Sequence, residues 1–216
     1  DGIAPIMVND GESAPSDNVE AKFQLSLKTP LWSKIYNDNG YLFFAFTQQA
    51  YWQAYNSEVS SPFRENNYEP ELILMFPHYA NVEDAASRII GLSLSHQSNG
   101  RSGAQSRSWN RLKLSWVTSI GNVFINFEPY YRFKEDPKET PTDPKGDDNP
   151  DITDYMGKFE FNAAYQHDDD IYSLMLRNNL SANSRGAVEL GWSFPISSNL
   201  RGQLKYFNGY GHSLID

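Results

Sequence analysis

His96 and Ser98 stand two residues apart at the end of an alternating segment, and Asn110 opens the next such segment. Side chains alternate across a strand. Ile90, Leu92, Leu94, His96 and Ser98 therefore share one face, and Asn110, Leu112, Leu114 and Trp116 share a face on the strand that returns. A base, a hydroxyl and an amide thus converge on an otherwise apolar surface. A serine hydroxyl is a poor nucleophile until a positioned base accepts its proton, and the apolar surroundings suit a lipid substrate. A lone His-x-Ser pair is more often a strand-end histidine beside a turn serine, so the pair needs support from the rest of the chain.

The elements that would position these residues are strands. About ten alternating segments recur between turn signals, near residues 19–32, 41–56, 69–79, 88–98, 106–118, 122–134, 155–167, 171–182, 185–196 and 199–210. Each is close to the length a tilted strand needs to cross a bilayer. Short connections (Ser119 to Asn122, His167 to Asp170, Ser197 to Asn199) fall on one side, and long ones (Ser57 to Tyr68, Glu135 to Asp154) on the other. That asymmetry matches the short periplasmic turns and long extracellular loops of outer-membrane barrels.

The two faces differ in chemistry. Val123, Ile125, Phe127 and Tyr131 oppose Asn126, Glu128 and Arg132; Val188, Leu190, Trp192 and Phe194 oppose Glu189 and Ser193. Periodicity does not say which face points inward, and a β-sandwich would show the same alternation. Two cues favour a membrane barrel. Trp32, Tyr41, Trp52, Trp109, Tyr131 and Tyr155 sit near strand ends, where aromatic girdles are expected. The polar face mixes Lys113, Arg111, Glu128, Arg132, Lys158, Glu160, Arg177, Glu189 and Lys205, so opposite charges could pair inside a filled lumen.

Composition narrows the classes further. A formal charge of −9 over 216 residues argues against a nucleic-acid partner. Without cysteine there is no disulfide and no thiolate metal site. No apolar run is long enough for a membrane helix, and no linker-like stretch divides the chain, so residues 1–216 read as one domain.

The stretch Ser95-His96-Gln97-Ser98-Asn99-Gly100-Arg101-Ser102, followed by Ser106-Arg107-Ser108-Trp109-Asn110-Arg111, resembles the active-site signature of outer-membrane phospholipase A. Further matching blocks are Lys22 to Leu27, Asn56 to Glu58, Ser60 to Glu65, Asn67 to Pro70, Asp147 to Thr153, Gly209 to Gly211 and Ser213 to Asp216. They span nearly the whole chain in order.

The resemblance implies an all-β, transmembrane antiparallel β-barrel, twelve-stranded in the family. About ten strands are present here, with the first and last missing and the segments at 19–32 and 199–210 left as unpaired edges. It implies calcium-dependent hydrolysis of phospholipid acyl esters (phospholipase A1/A2 and lysophospholipase) at the outer leaflet of the outer membrane. Ser98 would be the nucleophile, His96 the general base, and Asn110 the group that orients the imidazole. The oxyanion would meet the backbone N–H of Gly100 and a calcium ion held by the Arg101 carbonyl, the Ser106 hydroxyl, and Ser60 from a second subunit. Gln48 shares the parity of Leu42, Phe44, Phe46 and Trp52, and the family forms homodimers through such a glutamine.

Two departures stand out. Where the family usually has an aspartate after the histidine and another after Arg-Ser, this chain has Gln97 and the run Gly103-Ala104-Gln105. Fewer loop carboxylates imply a lower calcium affinity or a different ligand set. The rival expectations are a catalytically silent barrel with a transport or adhesive role, and a soluble β-sandwich binding module.

Overall fold

The computed structural model describes residues 6–7, 13–78, 86–140, 142–143 and 145–215. Ten antiparallel strands form one sheet: β1 (Ala21–Tyr36), β2 (Asn39–Trp52), β3 (Phe63–His78), β4 (Ala86–Ser98), β5 (Ser108–Ile120), β6 (Val123–Phe133), β7 (Phe159–His167), β8 (Asp170–Asn178), β9 (Gly186–Ser197) and β10 (Leu200–Gly209). Each strand pairs with its neighbours in sequence, so the order is a plain meander. β1 and β10 end it and do not pair with each other. A short ladder of Ile6–Met7 with Ser13–Ala14 lies outside this sheet.

Tight turns link β1 to β2, β5 to β6, β7 to β8 and β9 to β10 at one end. Asn37 and Asp38 both take positive φ (48° and 58°) between β1 and β2, the left-handed pair that a two-residue hairpin matching the strand twist requires. In the two-residue turns after β5 and β7 only the first residue, Gly121 or Asp168, takes positive φ. The opposite end carries the longer connections, including a one-turn helix α1 (Ile152–Met156).

The sheet is apolar outside and polar inside, and this settles which face points inward. Leu92 and Leu94 are 44% and 51% exposed while Ser93 and Ser95 between them are buried, and Leu114 is exposed beside buried Lys113. A soluble sandwich would show the reverse, because burying apolar area is its driving force. Inside, Arg111 pairs with Glu69 at 2.6 Å, and Lys113 reaches Glu69, Glu71 and Glu128. These ion pairs line the lumen beside β3 to β6. At its mouth the chain after β10 folds back: the Tyr51 hydroxyl donates to the His212 carbonyl, and the Arg177 guanidinium donates to the Gly211 carbonyl.

Several expectations from sequence change here. Trp109 is no girdle residue; it is 1% exposed and packs against Ile152, Met156 and Leu214. Tyr155 lies in α1 against Tyr210 rather than on a strand. Lys158 is exposed and lies outside the strands, away from the lumen ion pairs. β3 begins at Phe63, inside what reads as a loop, because a register shift opposite Tyr51 and Trp52 breaks the alternation. Arg64 and Glu65 are consequently both buried, side by side in sequence, as a bulge allows.

Candidate active site

β4 carries His96 and Ser98 to its end, and β5 carries Asn110 back in register, with His96 opposite Asn110 and Ser98 opposite Ser108. The pairing decides the geometry. Directly opposed residues in an antiparallel pair have adjacent side chains on one face, and His96 Nδ1 lies 2.8 Å from Asn110 Oδ1. The amide oxygen can only accept, so with Oδ1 toward the ring the neutral imidazole carries its proton on Nδ1 and presents a lone pair at Nε2. His96 is exposed on the face of Leu92 and Leu94, the apolar exterior. Among the described residues no hydrogen bond joins His96 to Ser98. Catalytic hydrogen bonds are often long before substrate binds and tighten in the complex.

The next residues form a structured loop. Buried Asn99 clasps it: its Nδ2 donates to the Gln105 carbonyl, and its Oδ1 accepts from the Arg101 and Arg107 N–H groups. Gly100 has φ of 66°, and a Cβ there would lie 2.9 Å from the Tyr68 ring. Both the left-handed backbone and the close approach demand glycine. Among the described residues the Gly100 N–H has no acceptor, which leaves a donor beside Ser98.

Ser106 and Ser108 both donate to one oxygen of Asp148, at 2.6 and 2.9 Å, and Lys138 meets its other oxygen at 2.5 Å. Burial tends to raise the Asp148 pKa, but hydrogen bonds from Lys138, Ser106 and Ser108 outweigh it, and the net shift is downward. The carboxylate stays ionised. Asp148 carries no separate signal in the sequence beyond its place in a matching block; only the fold brings it to Ser106. Glu135 is a second such residue: the Asn110 Nδ2 donates to its Oε1 at 2.9 Å.

The predicted calcium ligands are not all gathered in one chain. Arg101 and Ser106 lie on the same loop, whereas Ser60 sits between β2 and β3 with φ of 61°, and among the described residues no hydrogen bond joins it to either. No group of three or more His, Asp or Glu side chains capable of holding a metal occurs among the described residues. The available donors are a carbonyl, hydroxyls and one carboxylate, all hard oxygens of the kind calcium takes. Gln48 lies on the outward face of β2 in the row of Phe44, and its amide has no hydrogen bond among the described residues.

An apolar groove of about 380 Å³ beside His96 is walled by Phe44, Pro70, Leu72, Leu94 and Phe133. It lies on the apolar exterior face that carries His96.

Comparison with known proteins agrees with this geometry. The family model described as phospholipase A1 matches residues 3–216. A phospholipase A1 of Klebsiella pneumoniae is 42% identical over 205 residues, covering 95% of this chain and 67% of that protein. The chain belongs to the phospholipase A1 family. Its fold matches the calcium-bound dimer of the Salmonella typhi outer membrane phospholipase with a TM-score of 0.83, at 38% identity over 93% of this chain and 74% of that one. It also matches an Escherichia coli outer membrane phospholipase A in which an active-site asparagine is replaced by alanine, with a TM-score of 0.83 and 39% identity over 93% of this chain and 74% of that one. The chain spans about two thirds of the length of the curated relatives it matches. As a phospholipase A1 family member it is an outer-membrane β-barrel, and the polar lumen and apolar exterior are those of that class.

Proposed function

We propose that this chain hydrolyses the acyl ester bonds of phospholipids in the outer leaflet, with Ser98 as nucleophile, His96 as base and Asn110 as the group that sets the imidazole. The observation that carries the reading is the 2.8 Å contact between His96 Nδ1 and Asn110 Oδ1 on the apolar exterior. It leaves Nε2 as the basic nitrogen on the strand face that His96 shares with Ser98. Nε2 takes the Ser98 proton as Oγ attacks the ester carbonyl, and returns it to the leaving alcohol. Water then attacks the acyl-enzyme with the same base. The Gly100 N–H faces the developing oxyanion. An amide in the third position avoids a carboxylate on a lipid-facing surface, where charge is costly.

Calcium fits the donor set formed by the Arg101 carbonyl and Ser106 hydroxyl, with Asp148 behind Ser106. When bound it would supply positive charge to the oxyanion. The Salmonella typhi relative is a dimer with bound calcium, and a Ser60 on a different connection from Arg101 and Ser106 is accounted for if it serves the partner subunit. Gln48, without a partner on its apolar face, finds one in the same dimer.

The test is covalent. A long-chain sulfonyl fluoride should modify Ser98 in the detergent-solubilised barrel with calcium, mapped by peptide mass spectrometry. Labelling elsewhere, or none in a folded barrel, would favour the silent-barrel alternative.

A further inference from the structure

We propose that Glu135 is a positioning residue for hydrolysis, holding the Asn110 amide in the one orientation that keeps His96 basic at Nε2. The inference rests on the roles given above to Ser98, His96 and Asn110. It is carried by a continuous chain of contacts: His96 Nδ1 at 2.8 Å from Asn110 Oδ1, and Asn110 Nδ2 at 2.9 Å from Glu135 Oε1.

An asparagine amide has two nearly isosteric orientations. With its oxygen toward the ring it accepts the Nδ1 proton. With its NH₂ toward the ring it needs a lone pair on Nδ1, which moves the proton to Nε2 and removes the base from Ser98. His96 alone cannot choose, since its tautomers suit either orientation. Glu135 can choose, because a carboxylate accepts and cannot donate. It holds the NH₂ end and would repel the amide oxygen.

Glu135 is exposed, but the chain that carries it is braced. It lies two residues beyond Phe133, the β6 residue paired with Asn110. The backbone that follows is tied by the Asp147 N–H to the Asp136 carbonyl at 2.8 Å, by Arg132 to Asp147 at 2.5 Å, and by Lys138 to Asp148 at 2.5 Å. Gly146 packs so closely on this clasp that a Cβ there would lie 2.9 Å from the Asp136 carbonyl oxygen. A positioning group needs a supporting shell of this kind.

Glutamine at this position is the informative variant. Its amide can accept or donate, so Glu135→Gln keeps the volume and a hydrogen bond to Asn110 but no longer discriminates between the two orientations. With calcium and phospholipid micelles, Glu135→Ala should lower kcat about tenfold and Glu135→Gln about threefold, each with KM unchanged. In an Asn110→Ala background Glu135→Ala should cost nothing further, because the group it acts through is gone. Imidazole nitrogen NMR should show His96 protonated at Nδ1 in the native barrel and as a mixture of tautomers in Glu135→Gln. That signal reads the ring directly and does not depend on turnover.

Equal losses from Glu135→Ala in both backgrounds, a loss in KM alone, or an unchanged tautomer in Glu135→Gln would overturn the proposal. Ser98→Ala, run in parallel, separates the two levels. If it retains turnover, the assignment of the nucleophile fails and this inference fails with it. If it abolishes turnover while the Glu135 effects stay additive, only this inference fails.

Discussion

Asn99→Ala tests whether the loop after Ser98 is pre-built for a cation. The substitution removes three hydrogen bonds: from Nδ2 to the Gln105 carbonyl at 2.9 Å, and to Oδ1 from the N–H groups of Arg101 at 3.2 Å and Arg107 at 3.0 Å. At about 1 kcal/mol each they total about 3 kcal/mol. Water reaches the freed backbone groups once the side chain is gone, so the net loss is about 2 kcal/mol. If Arg101 and Ser106, inside the loop that Asn99 closes, hold calcium as proposed, the loosened loop must be re-ordered when the ion binds. The half-saturating calcium concentration should therefore rise about 30-fold, with kcat at saturating calcium close to native. Asn99→Asp keeps both accepted bonds and loses only the donation to Gln105, so its shift should be about fivefold, near 1 kcal/mol. The assay is fatty-acid release from mixed micelles against free calcium. A folded Asn99→Ala barrel with an unchanged calcium curve would refute the link between this clasp and the ion.

Other consequences follow from particular contacts. Lys113 sits among Glu69, Glu71 and Glu128 in the lumen, so Lys113→Ala should destabilise the barrel by about 3 kcal/mol through uncompensated buried charge. Urea unfolding in lipid checks this, and a native midpoint would contradict it. Gln48→Leu should weaken self-association about fivefold, near 1 kcal/mol, in crosslinking across detergent dilution; an unchanged dimer fraction would remove Gln48 from the interface. Gly100→Ala should lose most kcat, since a Cβ meets the Tyr68 ring and φ of 66° is strained for alanine. If its turnover is native, the Gly100 N–H is not the oxyanion donor.

Much of the architecture is legible in the sequence because a membrane strand repeats its chemistry every second residue. The row of Leu92, Leu94 and His96 against Ser93, Ser95 and Gln97 is visible without coordinates. Which row faces out is not visible, since that depends on the solvent around the whole sheet. Trp109 shows a signal present but misread: it alternates with Asn110, so its inward position follows from the same parity that places the active site. Arg64 and Glu65 show the opposite case, where a bulge slips the register by one and erases the alternation that marks a strand. Asp148 and Glu135 belong to the long segment after β6, and their partners, Ser106 and Asn110, come from earlier in the chain. Local pattern carries no information about such contacts.

The most direct measurement is fatty-acid release from phospholipid micelles by the folded barrel, with calcium and with a chelator, beside Ser98→Ala. The account predicts turnover that needs calcium and that vanishes in Ser98→Ala while the variant remains folded. Turnover that survives in Ser98→Ala, or that proceeds undiminished in chelator, would contradict it.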